Sequence, residues 1–427
     1  MLPQLRQLEL KYSRELVVIG VHSGKYHAER VTGRINDASI RLDAAHPVIN
    51  DRQFRIWRSY AVSAWPTLVV VDPAGYVIGA QAGEFTAEML FAFVEGVIDS
   101  ARAKGSLNSD PLHFQADAST TKPGILRYPG KLAIDGNRIA IADSGNHRIV
   151  IGQLINGGKS AKIDGTFGTG SPGFIDGMHG QFNYPQGLTF AGDKLYIADA
   201  GNHAIRILDL STGELKTLAG TGHQLRTRHD RDEGAMSSPW DVALSGDTLF
   251  VAMAGVHQLW SVDVRTGRTR VHSGAGGEDI RDGDNQNALL AQPMGIVATG
   301  ERVYFADSES NGIRWAGTSE DGVVGTIAGT GLFDFGDVDG SGDEVRLQHP
   351  QGLTIHPNGG LLVADSYNDC IKHVDPETRT STTWVRGLSE PSGISCSATH
   401  AYVADTNSHR VMVVNLETRE MAELRLE

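Results

Sequence analysis

Aspartates and histidines recur at fixed places in the later part of this sequence, and both residue types can ligate metal ions. Successive apolar segments end in one column of aspartates, at Asp143, Asp199, Asp307, Asp365 and Asp405. Four residues after each segment end stands a second column, containing His147, His203, His257 and His409, with Asn311 and Asp369 in the other two places. Several ligands at one radius would suit a metal centre, so the two columns are the first candidates for chemistry.

A structural role explains both columns better, because the repeat itself dictates the residues. We expect each aspartate to accept backbone N–H groups of its own tight turn and to pair with a nearby basic residue. The predicted partners lie five residues on at Arg148 and Arg410, and seven residues on at Arg206, Arg314 and Lys372. We expect the histidine column to cap turns.

A third candidate is the segment DVDGSGDE, residues 337–344, which alternates oxygen-bearing side chains around a glycine. Its possible calcium ligands are Asp337, Asp339, Ser341 and Asp343. Position twelve of a calcium-binding loop should supply a bidentate glutamate, and here it is Gln348. The Asp-Gly pair is also an ordinary turn of the repeat. We therefore predict no cofactor and no metal, with these four residues as weak calcium candidates.

The elements that carry these columns are six sequence repeats. The apolar segments end 56, 54, 54, 58 and 40 residues apart. A proline precedes each end by 14 residues, or by 15 in the fifth copy: Pro129, Pro185, Pro239, Pro293, Pro350 and Pro391. Gly-x-Gly pairs and acidic-Gly turns, such as Asp176-Gly177, separate about four short β-segments per repeat. Four strands per repeat, six times over, predict a mainly β protein with a six-bladed β-propeller.

The repeats resemble the NHL repeat family, whose blades carry the Pro-x-Gly, Ala-Asp-x-x-Asn-His-Arg-Ile and Gly-x-Gly elements found here. The resemblance covers about residues 127–427 and is most specific in blades one, two and six. Blade three departs from it, with Met253 for the aspartate and Val256 for the asparagine. Blade six lacks the preceding Gly-x-Gly loop. The segment EMAELRLE is expected to complete the ring.

The first hundred residues follow a different pattern. Residues 15–22 read as a buried strand, and residues 67–79 as two strands around an Asp-Pro-Ala-Gly turn. Phe85, Met89, Leu90, Phe93, Val94, Val97 and Ile98 would share one face of a closing helix. Pro66 stands directly before a strand that should be central, where a proline removes a hydrogen-bond donor. We therefore predict a cis peptide bond at Pro66.

This pattern resembles the second half of a thioredoxin fold, in which a cis-proline loop enters a central strand. The resemblance implies that Trp65, Pro66 and Thr67 contact a peptide, although Trp65 could equally serve packing alone. A thioredoxin-like domain followed by six NHL repeats is similar to the NHL repeat-containing protein 2 family. We predict a thioredoxin-like domain at 1–102, a linker at 103–124 and the propeller at 125–427.

The family resemblance implies a Cys-x-x-Cys motif on the first strand-to-helix turn of the thioredoxin-like domain, just upstream of a helix like Leu2-Pro3-Gln4-Leu5. The given sequence contains only Cys370 and Cys396, both in the repeats, where we expect buried free thiols. Thiol–disulfide exchange needs an activated thiolate and a resolving thiol. We therefore expect either a fragment, or a start assigned too far downstream, or a natural loss of redox activity.

Composition excludes several classes of partner. The chain has 38 Lys and Arg against 51 Asp and Glu, a net charge of −13, which disfavours nucleic acid. It has no apolar run long enough to span a membrane and no secretory leader, so we predict a cytoplasmic location. The prediction for function is a non-catalytic binding or scaffold protein that binds a protein or small ligand on the propeller face. The alternatives are a thiol–disulfide oxidoreductase with upstream cysteines and, more weakly, a hydrolase or lyase in the propeller channel.

Overall fold

The computed structural model describes residues 2–83, 87–108, 110, 124–225 and 234–427. It divides into two compact units, Met1–Lys122 and Pro123–Glu427. The elements of the first unit, in chain order, are α1 (Leu2–Lys11), β1 (Gly20–His22), α2 (Thr32–Arg41), β2 (Val48–Asn50), α3 (Arg55–Ser59), β3 (Thr67–Val71), β4 (Val77–Ala82) and α4 (Ala87–Ala103). The parallel pair β1–β2 and the antiparallel pair β3–β4 form two separate two-stranded sheets.

The core of the first unit lies between α1 and α4. One apolar stripe consists of Leu5 and Leu8 of α1 with Tyr12 directly after the helix, and the other consists of Leu90, Val94 and Ile98 of α4. The predicted closing helix is therefore confirmed, but its buried face is narrower than expected. Met89 is 56% exposed and Phe93 42% exposed, because they lie beside this stripe. Phe85 lies outside the described residues.

Two local predictions for the first unit are confirmed and one is wrong. The strands β3 and β4 form the predicted hairpin around Asp72, whose Oδ1 accepts the N–H groups of Ala74 and Tyr76 at 2.9 Å each. The Trp65–Pro66 peptide bond is cis. The strand predicted over residues 15–22 is only Gly20–His22, because β2 supplies just three partner residues for its ladder.

The second unit is the predicted six-bladed β-propeller. Blade one contains β5 (Leu132–Asp135), β6 (Arg138–Asp143), β7 (Arg148–Ile155) and β8 (Ser160–Phe167), and blade two contains β9 (Pro185–Ala191), β10 (Lys194–Asp199), β11 (Ala204–Asp209) and β12 (Leu215–Ala219). Blade three contains β13 (Pro239–Ser245), β14 (Thr248–Met253), β15 (Gln258–Asp263) and β16 (Thr269–Ser273), and blade four contains β17 (Gly283–Asp284), β18 (Pro293–Ala298), β19 (Arg302–Asp307), β20 (Gly312–Gly317) and β21 (Val323–Ala328). Blade five contains β22 (Gly340–Ser341), β23 (Pro350–Ile355), β24 (Leu361–Asp365), β25 (Cys370–Asp375) and β26 (Thr380–Arg386), and blade six contains β27 (Pro391–Cys396), β28 (His400–Asp405), β29 (Arg410–Asn415) and β30 (Met421–Glu423).

Each blade is a mainly antiparallel sheet, and the innermost strands of the six blades are β5, β9, β13, β18, β23 and β27. The column prolines begin five of these inner strands, where the missing N–H breaks no ladder. Six apolar clusters form the core, one between each pair of neighbouring blades. The cluster between blades six and one, for example, joins Tyr402 and Val413 to Ile139 and Ile141. Burial of both faces of every sheet stabilises the ring.

The ring is closed by the segment EMAELRLE, which divides between two blades. Its first part is β30, the outer strand of blade six, paired with β29. Its second part is β31 (Arg425–Leu426), which pairs in parallel with β8 of blade one. Ile163 N and Glu427 O, and Glu427 N and Ala161 O, extend this pairing at 2.8 and 2.9 Å. The last residues of the given chain therefore hydrogen-bond the sixth blade to the first.

Candidate functional site

The column aspartates are buried and hold the chain that enters their own blade. Asp143 Oδ1 accepts a hydrogen bond from Arg127 N at 2.6 Å, and Asp307 Oδ1 from Ala291 N at 2.7 Å. The same bonds are made at Asp199, Asp365 and Asp405 by the backbone of Asn183, Gln348 and Ser389. The prediction that these carboxylates accept N–H groups of their own turn is therefore wrong, because this oxygen serves the residue two before the proline.

Four of the five predicted ion pairs are present. Their shortest N–O distances are 2.6–2.8 Å, in the pairs Asp143–Arg148, Asp199–Arg206, Asp307–Arg314 and Asp405–Arg410. In blades two and four the arginine is fully buried and also binds the aspartate of the acidic-Gly turn, as Arg314 Nη2 does with Asp282 at 3.0 Å. One guanidinium thus links two carboxylates from different parts of the repeat.

Blade five breaks this pattern. Lys372 Nζ binds Asp337 at 2.5 Å, Asp339 at 2.8 Å and Thr383 Oγ1 at 2.9 Å. The predicted Asp365–Lys372 pair is therefore wrong, because the single amino group of lysine serves the loop carboxylates. Burial raises the pKa of Asp365 to about 7, despite hydrogen bonds from Asn368 and Gln348. Asp365 is fully buried, without a salt bridge to any described residue.

The calcium candidates bind protein groups instead of converging on one point. Asp337 and Asp339 share the ammonium group of Lys372, and Asp343 pairs with Arg379 at 2.8 Å. Ser341 Oγ lies 3.5 Å from the carbonyl oxygen of Thr378. A protein cation already occupies the place between the first two carboxylates. This geometry argues against the calcium suggestion.

A second possible metal group lies beside the first. Single ligand atoms of Asp337, Asp365 and Cys370 lie within 4.8 Å of one another. Burial raises the pKa of the Cys370 thiol far above its usual range, and the carboxylate of Asp365 adds to this effect. A neutral thiol beside an ammonium group is a poor metal ligand. The buried thiol predicted at Cys370 is confirmed, while Cys396 is only partly buried.

The histidine column joins each blade to the next one. His147 Nδ1 accepts a hydrogen bond from Tyr184 N at 3.0 Å, and His203 Nδ1 from Ser238 N at 3.0 Å. Equivalent bonds are accepted by His257, Asn311, Asp369 and His409, the last from Tyr128 N of blade one. The column therefore forms a hydrogen-bonded ring between blades, which replaces the predicted capping of local turns.

An accepting Nδ1 must carry no proton, and the surroundings of two histidines favour that state. Burial lowers the pKa of His203 to about 4. Burial, followed by the charge of Arg127, lowers the pKa of His147. Every residue of this column has a positive φ, from 50° to 56°, at the end of a short 3₁₀ turn. The repeat therefore uses these side chains for assembly.

In the first unit, the predicted peptide-contact residues lie beside an aromatic cluster. Trp65 is 48% exposed, although its indole N–H donates to the carbonyl oxygen of Ser23 at 2.8 Å. Its ring lies 4.5 Å from that of Trp57 and 6.3 Å from that of Phe54. Thr67 Oγ1 donates to Ala64 O at 2.7 Å, so its hydroxyl is used locally. Among the described residues, the main chain of Trp65 makes no hydrogen bond.

Asp51 holds this aromatic cluster in place. Its carboxylate accepts the N–H groups of Arg55 at 2.7 Å and Trp57 at 2.9 Å, and the hydroxyl of Ser23 at 3.0 Å. Burial opposes ionisation, but these bonds, with that from Trp57 the largest, lower the pKa of Asp51. We did not predict Asp51, Phe54 or Trp57 from the sequence. The Asp-x-x-Phe-x-x-Trp spacing at the start of a helix is the sequence signal that could have indicated these three residues.

This arrangement of blades and columns can be compared with known proteins. The NHL repeat family model matches residues 126–151, 182–208 and 347–374, in blades one, two and five. We had expected the third most specific copy in blade six. NHL repeat-containing protein 2 of Bos taurus is 34% identical over 478 residues, which cover 99% of this chain and 65% of that protein. The chain therefore contains NHL repeats, and it is similar to NHL repeat-containing protein 2 over 99% of its own length.

A plant protein and a solved structure are also similar to this chain. Protein SUPPRESSOR OF QUENCHING 1, chloroplastic, of Arabidopsis thaliana is 37% identical over 464 residues, covering 99% of this chain and 43% of that protein. A chain in the crystal structure of a nidogen/laminin complex aligns with a TM-score of 0.46 and 17% identity, over 66% of this chain and 90% of that one. This chain therefore spans less than two thirds of the Bos taurus protein and of the Arabidopsis thaliana protein.

A helix that crosses a membrane must be long and apolar. None of the helices in the described part of the chain is both long enough and apolar enough to cross a bilayer.

Proposed function

We propose that this protein is a non-catalytic binding protein, in which the first unit is thioredoxin-like and contacts an extended peptide at Trp65, Pro66 and Thr67. The observation that carries the proposal is the exposed ring of Trp65 beside a main chain that lacks hydrogen-bond partners among the described residues. An extended peptide can pair with such a backbone, and aromatic rings add contact area at low entropic cost.

Three features support peptide binding over simple packing. Trp65 is held by its indole N–H, so its ring is fixed in place while half exposed. Trp57 and Phe54 extend the aromatic surface, and the guanidinium of Arg30 lies 5.6 Å from the Phe54 ring centre. Asp51 fixes the helix that carries Trp57. A pre-organised aromatic surface of this kind favours binding because little freedom is lost.

Neither cysteine supports dithiol chemistry. Burial raises the pKa of both thiols, that of Cys396 to about 12, whereas an attacking thiol needs a lowered pKa. The oxidoreductase alternative therefore depends on cysteines outside the given sequence. A cytoplasmic location and a protein or small-molecule ligand for the propeller face remain parts of this proposal, and the acidic composition favours a cationic partner.

The test is calorimetric titration of the full chain with a reduced, carboxymethylated polypeptide. Trp65→Ala should weaken binding at least tenfold, because it removes the central ring of the surface. Tyr76→Ala, which removes a 71% exposed ring from the β3–β4 turn, is the matched control and should bind as the wild type does. Equal binding by Trp65→Ala and wild type would contradict the proposal. Insulin reduction by this chain would contradict the non-catalytic part.

A further inference from the structure

Helix α3 and the turn before it carry exposed positive charge. Residues 44–71 contain three arginines, Arg52, Arg55 and Arg58, but only one acidic residue, Asp51. The three arginines are exposed, whereas Asp51 is buried. Its carboxylate already accepts hydrogen bonds from three backbone N–H groups of α3 and from one side-chain hydroxyl. The exposed side of this segment is therefore positive.

These arginines have few partners within the protein. None of the three forms a salt bridge with a described residue. The side chain of Arg58 donates to the carbonyl oxygen of Gln53 at 2.8 Å, and the side chains of the other two form no hydrogen bond with the described residues. Each guanidinium group has five N–H donors, so most of these donors are available to a ligand.

The charged helix also carries part of the aromatic cluster. Arg55 and Arg58 lie three residues apart and therefore share one side of α3. Trp57, on the same helix, places its ring 4.5 Å from the half-exposed ring of Trp65. One short helix thus brings guanidinium groups and an aromatic ring to the proposed peptide surface.

Arg30 adds a cation from a different segment. Its guanidinium lies 5.6 Å from the centre of the Phe54 ring, which itself lies 6.3 Å from the ring of Trp65. Arg30 donates to the backbone carbonyl oxygens of Gly24 and Lys25 at 3.3 Å each, and it forms no salt bridge with a described residue. Two separate segments therefore supply guanidinium groups to one aromatic cluster.

We propose that the peptide bound at Trp65 is acidic, with aspartate or glutamate side chains that pair with Arg30, Arg55 and Arg58. This inference rests on the proposed peptide surface and adds the charge of its partner. A guanidinium group can bind both oxygens of a carboxylate, and several such pairs give specificity where one exposed pair contributes little. The chain as a whole carries a net charge of −13, so the attraction must come from these nearby groups, within a screening length of about 10 Å.

The test titrates the full chain with two nonapeptides, SDEVLVEDS and its neutral analogue SNQVLVQNS, both acetylated and amidated so that their termini carry no charge. In about 50 mM salt the acidic peptide should bind at least about tenfold more tightly, since each exposed charge pair contributes a factor of about two to five. In about 1 M salt, where charges are screened beyond about 3 Å, the difference should fall below about threefold.

Variants then locate the charges that act. Arg55→Gln and Arg58→Gln should each weaken binding of the acidic peptide about threefold and leave binding of the neutral peptide unchanged. Arg14→Gln, which removes an equally exposed arginine that follows α1, is the matched control and should bind both peptides as the wild type does. If Arg14→Gln weakens binding as much as Arg55→Gln, the net charge of the chain governs the preference and the proposal is overturned.

The remaining outcomes separate this inference from the peptide surface itself. Equal affinity for the two peptides, lost in Trp65→Ala, would overturn the acidic preference and leave the peptide surface in place. No binding of either peptide would overturn both proposals. Tighter binding of single-stranded oligothymidylate than of the acidic peptide would identify nucleic acid as the partner, and it would also overturn the inference.

Discussion

Blades four and five each bury an aspartate at the same position of the repeat, but the basic residue seven positions further on is arginine in blade four and lysine in blade five. In blade four, Arg314 binds both Asp307 and Asp282, so the buried carboxylate has a partner. In blade five, Lys372 binds the loop carboxylates and Thr383 instead of Asp365, and burial raises the pKa of Asp365 to about 7. The two blades therefore differ because the guanidinium of Arg314 binds both the buried and the loop carboxylate, whereas the ammonium group of Lys372 binds only carboxylates of the more exposed loop.

The largest expected difference follows from removing the two carboxylate charges. Asp307→Asn leaves a fully buried arginine facing an amide, and we expect it to lower the free energy of unfolding by about 3 kcal/mol at pH 8. Asp365→Asn removes an ionised group that has no ion pair among the described residues, and we expect it to stabilise the protein by at least about 1 kcal/mol at pH 8. Urea unfolding followed by circular dichroism measures both.

The two variants control for each other, because both replace a fully buried aspartate by asparagine. Equal losses in both blades would show that the cation makes no difference. The benefit of Asp365→Asn should shrink as the pH falls below 7, and it should disappear near pH 3.8, below which the folded and the unfolded state both hold the proton of Asp365.

A smaller effect is expected when blade five is given the cation of blade four. In the wild type, folded Asp365 holds its proton up to about pH 7, whereas an unfolded aspartate loses it near pH 3.8. The folded state binds more protons between these values, so the free energy of unfolding falls as pH rises through this window. Lys372→Arg should pair with Asp365, lower its pKa and flatten this slope, with a gain of about 1 kcal/mol at pH 8.

The pH dependence of the urea midpoint, measured for wild type and Lys372→Arg between pH 4 and pH 8, checks this expectation. Arg314→Lys is the reverse exchange in blade four, and it should introduce the slope that Lys372→Arg removes. A slope unaffected by either exchange would mean that other groups govern it.

The smallest effect is expected in the ring of hydrogen bonds between blades, where blade two carries His203 and blade four Asn311. Both side chains accept the N–H group before the next proline, at 3.0 and 3.1 Å. His203→Asn should therefore cost less than about 1 kcal/mol, whereas His203→Ala should cost about 1–2 kcal/mol by leaving that N–H without its acceptor.

The histidine also makes this bond sensitive to acid. The pKa of folded His203 is about 4, while an unfolded histidine takes up its proton near pH 6.5. Its contribution is complete above pH 6.5 and is lost as pH falls towards 4, since the unfolded state then binds more protons. Thermal unfolding of His203→Asn should show a weaker loss between pH 6.5 and pH 4. An unchanged loss would contradict the role assigned to Nδ1.

The repeat could be predicted from sequence because each blade carries the same local markers. The prolines at inner strands and the aspartates at strand ends fix both the number and the boundaries of the blades. Four of the five ion pairs of the aspartates could be predicted, because the arginines lie five or seven residues further on. The backbone N–H groups that the aspartates and histidines bind could not be predicted, because they lie in other segments. His409 accepts from Tyr128 across 281 residues, and no spacing along the chain indicates that contact.

Two charged residues of the propeller illustrate the same limit. Lys131 and Asp241 are visible in the sequence as two departures from Pro-x-Gly, but only the structure shows that Lys131 Nζ lies 3.4 Å from Asp241 Oδ2. Two residues of the proposed peptide surface, Trp65 and Pro66, were singled out from the sequence. Its supporting residues, Asp51 and Trp57, were missed because tertiary hydrogen bonds place them. Side-chain partners across the fold therefore required the structure.

The pairing of β31 with β8 also sets the order of events during synthesis. The outer strand of blade one is complete at residue 167, but its last neighbour begins at residue 425. A ribosome that adds about 5–20 residues per second reaches that neighbour on the order of 10–50 seconds later. Throughout this interval, β8 presents an open edge that can pair with another nascent chain. The newly made protein should therefore need a chaperone most at its first blade.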